Sequence, residues 1–145
     1  MSRGDWRSPA VFGAFDGLVS TLGVLFSLSG NQRLIVPTAI GVGLAEAVGM
    51  GFGEWLSSSS HGWLSSSVIG AATGLGTLAP ALPYSVAHGA VAVLLSLLVL
   101  AAITAWIAWA RSAPHKRRRA FAESFGVLIL AALAVFVAHL LTPGG

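Results

Sequence analysis

The chain has 145 residues, of which 55% are apolar and only 9% are charged, and its mean hydropathy is +0.83. Because soluble domains carry about 25% charged residues, this composition excludes a dissolved monomeric domain and indicates an integral membrane protein. The formal net charge is +3, but the basic residues cluster in one short loop, which favours membrane topology over nucleic-acid binding. The absence of cysteine excludes disulfides, thiolate metal sites and redox pairs.

Five apolar segments follow one another, each close to the length of about 20 residues with which a helix crosses the hydrocarbon core. They cover about 9–29, 34–56, 64–82, 86–110 and 120–141. Pro80 and Pro83 should end or distort the third segment. Short connections predict antiparallel neighbours, so we expect one all-α domain over residues 1–145, a bundle of five transmembrane helices with no soluble domain. We also expect no removable signal peptide.

Lysine and arginine predict the orientation of the chain in the membrane. With five spans, the N-terminus shares one side with the second and fourth loops, and the other side holds only Arg33. We therefore predict a bacterial inner-membrane protein with a cytoplasmic N-terminus and an extracytoplasmic or luminal C-terminus. The run Lys116–Arg119 is also a candidate contact for anionic lipid. The seven basic residues on the N-terminal side are Arg3, Arg7, Arg111, Lys116, Arg117, Arg118 and Arg119.

Three acidic residues lie inside predicted spans: Asp16 in the first, and Glu46 and Glu54 in the second. An acid at a helix centre costs about 2.5–3.5 kcal/mol on insertion scales, so such residues are candidates for function. Glu46, Met50 and Glu54 are four residues apart and share one helix face. Carboxylate oxygens with one thioether suit a divalent transition metal such as iron(II). Because carboxylates also take up protons, this set could exchange a metal ion for protons.

Each of these residues also has a structural interpretation. Asp16 could be an acid hydrogen-bonded to a neighbouring helix, Glu54 a solvated interfacial acid, and Met50 packing filler. The histidines lack metal-ligand spacing and are expected to be interfacial side chains.

Small residues repeat at helical spacing beside the acids. Span two carries a second stripe of Gly41, Ala45, Gly49 and Gly53, and span three carries Gly70 and Gly74. Such residues let helices approach closely. We assign helix packing and a dimer seam to Gly13, Gly17, Ala45, Gly49 and Gly53.

Three motifs resemble the vacuolar iron transporter (VIT) family. FGAFDGLVSTLGVL is similar to the family's first span with its FGxxDGLVS-like signature, and AEAVGMGFGEWLS to its second span, which reads like AxAxSMGxGEYLS. IGAATGLGTLAPALPY is similar to the third span and its PxxPY-like end. By this resemblance Asp16, Met50 and Glu54 match the family's aspartate, methionine and glutamate. Glu46 falls where the family has an acid or a small residue.

The resemblance implies a homodimer of five-helix subunits that moves iron(II), often manganese(II), out of the cytosol in exchange for protons. The path would run between the subunits, lined by spans one and two. Typical members insert a glutamate-rich cytoplasmic metal-binding domain between spans two and three. Here SSSSHG replaces it, as in the nodulin-like branch, and Trp55 replaces the tyrosine of the GEY-like motif.

We therefore predict a transporter of Fe2+ or Mn2+, with metal ligands Asp16, Glu46, Met50 and Glu54. No permanently bound cofactor, nucleic-acid partner or enzymatic activity is expected. The alternative is a non-transporting membrane scaffold or partner-binding module derived from the VIT family. A third possibility is a channel-like metal leak without proton coupling.

Overall fold

The computed structural model describes residues 6–57, 63–112 and 114–141, and within these ranges the chain is helical and contains no strand. Predictions for Arg3, for the loop residues 58–62 and for the last four residues lie outside the described residues. The long helices are α1 (Arg7–Ser27), α2 (Ile35–Ser57), α3 (Trp63–Leu78), α5 (Gly89–Ala110) and α6 (Arg117–Leu141). A single turn, α4 (Pro83–Val86), lies between α3 and α5.

Among the described residues, four helices are long and apolar enough to cross a membrane: Arg7–Ser27, Gln32–Ser57, Gly89–Ala110 and Arg117–Leu141. The all-helical prediction is confirmed. The third predicted span is shorter than expected, because α3 has 16 residues and a length of about 24 Å, against a hydrocarbon core of about 30 Å. Pro80 follows the end of α3 and Pro83 begins α4, so the expected interruption by proline is confirmed.

Helix α3 is the centre of the fold, because α1 and α2 both pack along it. Its buried residues include Ile69, Thr73 and Thr77, and its glycines allow close approach on both sides. A Cβ added at Gly76 would lie 2.5 Å from the carbonyl oxygen of Ala14 on α1, and one added at Gly74 would lie 3.0 Å from that of Gly43 on α2. Backbone contact of this kind fixes the positions of α1 and α2 relative to each other.

Two apolar clusters complete the packing. One joins α1 to α5 through residues such as Leu18, Leu100 and Ile107, with α6 packed against its edge. The other lies where α1 ends and α2 begins, and includes Ile35 and Tyr84. Helices α5 and α6 therefore cover α1, while the described residues leave much of α2 uncovered.

The basic residues of the described chain segregate between the two ends of the bundle. Arg7 and Arg117 line one cavity with Ala110, so the start of α1, the end of α5 and the start of α6 meet at one end. At the other end, the Gly89 amide donates a 2.8 Å hydrogen bond to the Gln32 side chain, which places the loop carrying Arg33 beside the start of α5.

Candidate functional site

The candidate site lies where α1 and α2 face each other across α3. Asp16 of α1 and Glu46 of α2 are both half-buried, and their carboxyl groups are close enough to interact electrostatically. They meet because each helix packs on α3 through small residues: Gly13 and Gly17 on α1, and Gly43 on α2. The structure thus brings together two of the four predicted ligands from different helices.

Thr77 of α3 is the third member of the site. Its hydroxyl donates a 2.5 Å hydrogen bond to Oε2 of Glu46, and its side chain is fully buried. A Cβ added at Gly17 would lie 2.6 Å from the backbone nitrogen of Thr77, and one added at Gly43 would lie 3.5 Å from its Cβ. Thr77 therefore occupies the junction of all three helices.

A second threonine ties α1 to the same point. The Thr21 hydroxyl lies 2.7 Å from the carbonyl oxygen of Thr77 and 2.9 Å from that of Gly17, one turn earlier on its own helix. Sequence reasoning missed both Thr77 and Thr21. The available signal was that Thr73 and Thr77 are spaced four apart on the helix that also carries Gly70 and Gly74 at the same spacing.

Met50 and Glu54 continue along α2 from Glu46 and are both half-buried. Eight residues of helix separate Glu46 from Glu54, a rise of about 12 Å, which is too far for both to bind one small ion in one subunit. Accordingly, no group of three or more histidine, cysteine, aspartate or glutamate side chains comes together among the residues that the structure describes. The described part of one subunit offers an acid pair, with a thioether one turn away and a third acid two turns away.

The residues assigned to helix packing and a dimer seam fall into two groups, one buried within the chain and one exposed. Gly13 and Gly17 are buried against α3 within the subunit. On α2, Ala45 is exposed, and a Cβ added at Gly49 or Gly53 would meet nothing within 4 Å. These three α2 residues form an open small-residue stripe beside the acids.

Chemically, two half-buried carboxylates with a fixed hydroxyl donor make a site for a cation. Each carboxylate can donate two oxygens to a hard metal ion, and the Met50 sulfur adds a softer donor. Glu46 has one oxygen occupied by Thr77, which orients the carboxylate and leaves the other oxygen for a ligand.

These features define an all-helical membrane protein with an acid pair between its first two helices. Residues 7–62 match the model of the VIT family, so the first two helices of the chain are similar to that family. The matched residues contain all four predicted ligands, so the resemblance of the first two spans is confirmed. At the level of the family, this match suggests metal transport. The chain matches no curated protein and no solved structure.

Proposed function

We propose that this protein moves a divalent transition-metal ion, Fe2+ or Mn2+, out of the cytosol in exchange for protons. The observation that carries the proposal is that Asp16 and Glu46 are half-buried on two helices of membrane-spanning length that both pack on α3, where Thr77 bonds Glu46. Acids inside a membrane are costly and mark ion or proton pathways when they face each other across a helix interface.

The metal ion is the transported substrate, and the acids are its ligands. Asp16 and Glu46 supply oxygens, Met50 supplies sulfur, and Glu54 lies two turns further along α2. Glu54 lies in the last turn of α2, and by the predicted orientation that end faces the cytosol. Glu54 would therefore meet the incoming ion before Met50 and the acid pair. Protons compete for the same oxygens, so a pH gradient can release the ion on the far side.

The path is proposed to run between two copies of the chain. The open stripe of Ala45, Gly49 and Gly53 lies beside Glu46 on α2, and no described residue of the same chain covers it. A twofold axis along this stripe would bring two copies of the acid pair together. Four carboxylates would then face one ion, which is more than the described part of a single subunit offers.

The test is Fe2+ flux into proteoliposomes, measured with and without an imposed pH gradient. We expect flux that depends on the gradient and is abolished by Asp16→Asn, which keeps the size of the side chain and removes its charge. The matched control is Glu123→Gln, an acid-to-amide change at the exposed ion pairs of α6, which should transport like the wild type. Transport by Asp16→Asn at the wild-type rate would refute the role of Asp16.

A non-transporting scaffold derived from the family is the second candidate. The observation that favours it is that the described residues of one chain assemble no group of three acids. A scaffold should tolerate Asp16→Ala together with Glu46→Ala, with its fold and any partner contact intact, and should show no flux of Fe2+, Mn2+ or another divalent ion. Metal flux that is indifferent to the pH gradient would instead indicate a leak without proton coupling.

A further inference from the structure

The end of α3 carries two backbone carbonyl groups that lack the amide donors of a continuing helix. Pro80 has no N–H, so the carbonyl oxygen of Gly76 loses the donor that would close its helical turn. The amide of Ala81 donates to the carbonyl oxygen of Leu78 at 3.0 Å, instead of to that of Thr77 as in a regular α-helix. Carbonyl groups between packed helices are costly to leave unbonded, so both require a donor from elsewhere.

Thr21 of α1 supplies that donor. Its hydroxyl lies 2.7 Å from the carbonyl oxygen of Thr77 and 3.3 Å from that of Gly76, so one side chain reaches both groups. The Thr21 side chain is fully buried, and a Cβ added at Gly17 would lie 2.9 Å from the carbonyl carbon of Gly76. Threonine hydroxyls of neighbouring helices are one means by which membrane proteins accommodate a proline that frees backbone groups.

Thr77 connects this hydrogen bond to the acid pair. Its carbonyl oxygen accepts from Thr21, while its hydroxyl donates the 2.5 Å hydrogen bond to Oε2 of Glu46. Because both groups belong to one buried residue, a shift of the end of α3 would move the donor away from the carboxylate. Asp16 lies on the same helix as Thr21, so the bond between Thr21 and Thr77 also sets the position of Asp16 along α3.

We propose that Thr21 is a positioning residue of the ion site: it replaces the backbone donors missing at the end of α3 and thereby holds Thr77 in place for Glu46. This inference rests on the proposed function, because the effect of Thr21 is on binding of the transported ion. A threonine that only stabilised the fold would change the amount of folded protein. A positioning residue changes the metal concentration at which flux is half-maximal, the KM.

Fe2+ flux into proteoliposomes, measured over a range of metal concentrations and normalised to folded protein, tests this role. Thr21→Val keeps the shape of the side chain and removes the donor. We expect its KM to rise about fivefold, less than the about 10–100-fold effect of a partner that contacts a metal ligand directly. Maximal flux should stay near the wild-type level. Thr21→Ser keeps the hydroxyl and should keep the wild-type KM.

The matched control is Thr104→Val. Thr104 is fully buried, and its hydroxyl donates to the carbonyl oxygen of Leu100 in its own helix at 2.8 Å. Its replacement should leave the KM unchanged. The same rise in KM in Thr104→Val would indicate a general response to loss of a buried hydroxyl and would overturn the proposal.

Pro80→Ala provides a second, independent arm. It returns an N–H to position 80, which can bond the carbonyl oxygen of Gly76, and it allows the helix to continue. In this background Thr21→Val should change the KM by less than about twofold, because the lost donor is replaced by backbone. An equal effect of Thr21→Val with and without Pro80→Ala would refute the compensation. If Thr21→Val alone does not fold, the double variant should fold, and its failure to do so would refute the compensation as well.

The outcomes separate this proposal from the proposed function. A wild-type KM in Thr21→Val, in a protein whose flux still requires Asp16, would overturn the positioning role and leave the transporter standing. A KM that rises equally in Thr21→Val and Thr21→Ser would assign the effect to packing. A wild-type protein that is folded but carries no metal flux would overturn the proposed function itself, and with it the role of Thr21.

Discussion

The hydroxyl of Thr77 donates a 2.5 Å hydrogen bond to Oε2 of Glu46, and this bond links the central helix to the acid pair. We expect Thr77→Val to weaken Fe2+ transport by about tenfold at low metal concentration, since partners that orient a ligand are worth about 10–100-fold in metal affinity. Thr77→Ser should retain the hydroxyl and most of the transport. The measurement is Fe2+ flux as a function of metal concentration.

The control for this change is Thr104→Val on α5. Thr104 is also fully buried, but its hydroxyl bonds only the carbonyl oxygen of Leu100 in its own helix, at 2.8 Å. Thr104→Val should therefore leave Fe2+ transport near the wild-type level. If Thr77→Val and Thr77→Ser transport equally well, the hydrogen bond does not position Glu46 for metal.

Gly17→Ala tests the approach of α1 to α3. The added Cβ would lie 2.6 Å from the backbone nitrogen of Thr77, so the helices must separate or shift. We expect a loss of about 1–3 kcal/mol in the free energy of unfolding, as for other overpacked sites. Thermal unfolding in detergent measures this loss of stability.

Gly23→Ala provides the comparison on the same helix, because a Cβ there meets nothing within 4 Å. Replacing glycine by alanine in a helix is otherwise favourable by about 1 kcal/mol, so Gly23→Ala should hold or raise stability. Equal stability of the two variants would show that α1 does not pack on α3 as closely as described.

The open stripe on α2 predicts where a second subunit binds. Gly49→Leu with Gly53→Leu adds bulk where the described part of the chain has nothing within 4 Å, so the fold should persist while dimerisation and transport are lost. Mass measurement by light scattering in detergent reports the oligomeric state. Gly126→Leu, at an equally open glycine of α6, should leave the dimer intact. A dimer that survives both substitutions on α2 must use another face.

Met50→Leu tests the contribution of sulfur to ion choice. The change keeps apolar volume and removes the thioether, the softest of the four proposed ligands. We expect the ratio of Fe2+ to Mn2+ transport to fall by about tenfold, which corresponds to about 1.4 kcal/mol of lost preference. Competition between the two ions in proteoliposomes measures this ratio, and an unchanged ratio would assign Met50 to packing.

Much of the helical architecture follows from the sequence, because apolar segments without period-2 alternation predict helices from length and hydropathy alone. The central position of α3 does not follow, because its apolar content is no higher than that of its neighbours. Its packing depends on which glycines of α1 and α2 face it. Gly17 is buried and Gly49 is open although both repeat at helical spacing, since spacing identifies a face and not its partner.

The candidate site is likewise only partly predictable from the sequence. The cost of placing Asp16 and Glu46 in a membrane singles them out from the sequence, and their shared interface follows from packing on α3. Thr77 could not be singled out, because threonine in a membrane helix ordinarily bonds its own backbone, as Thr73 does with the carbonyl oxygen of Ile69 at 2.8 Å. The Thr77 hydroxyl also lies near the carbonyl oxygen of Thr73 in its own helix, and it differs from that of Thr73 because Glu46 of α2 lies beside it.

The shortness of α3 has a consequence for biogenesis. With 16 residues, three of them serines in its first turns, it is the long helix least able to enter a bilayer alone. Yet α1 and α2 pack mainly on α3 rather than on each other, so we expect the acid pair to form only after α3 has joined them. We expect a chain truncated after residue 57 to insert both acid-bearing helices and leave Asp16 and Glu46 without a fixed distance. We therefore expect the acid pair to assemble late in the maturation of the protein, under the control of a helix that contributes no carboxylate.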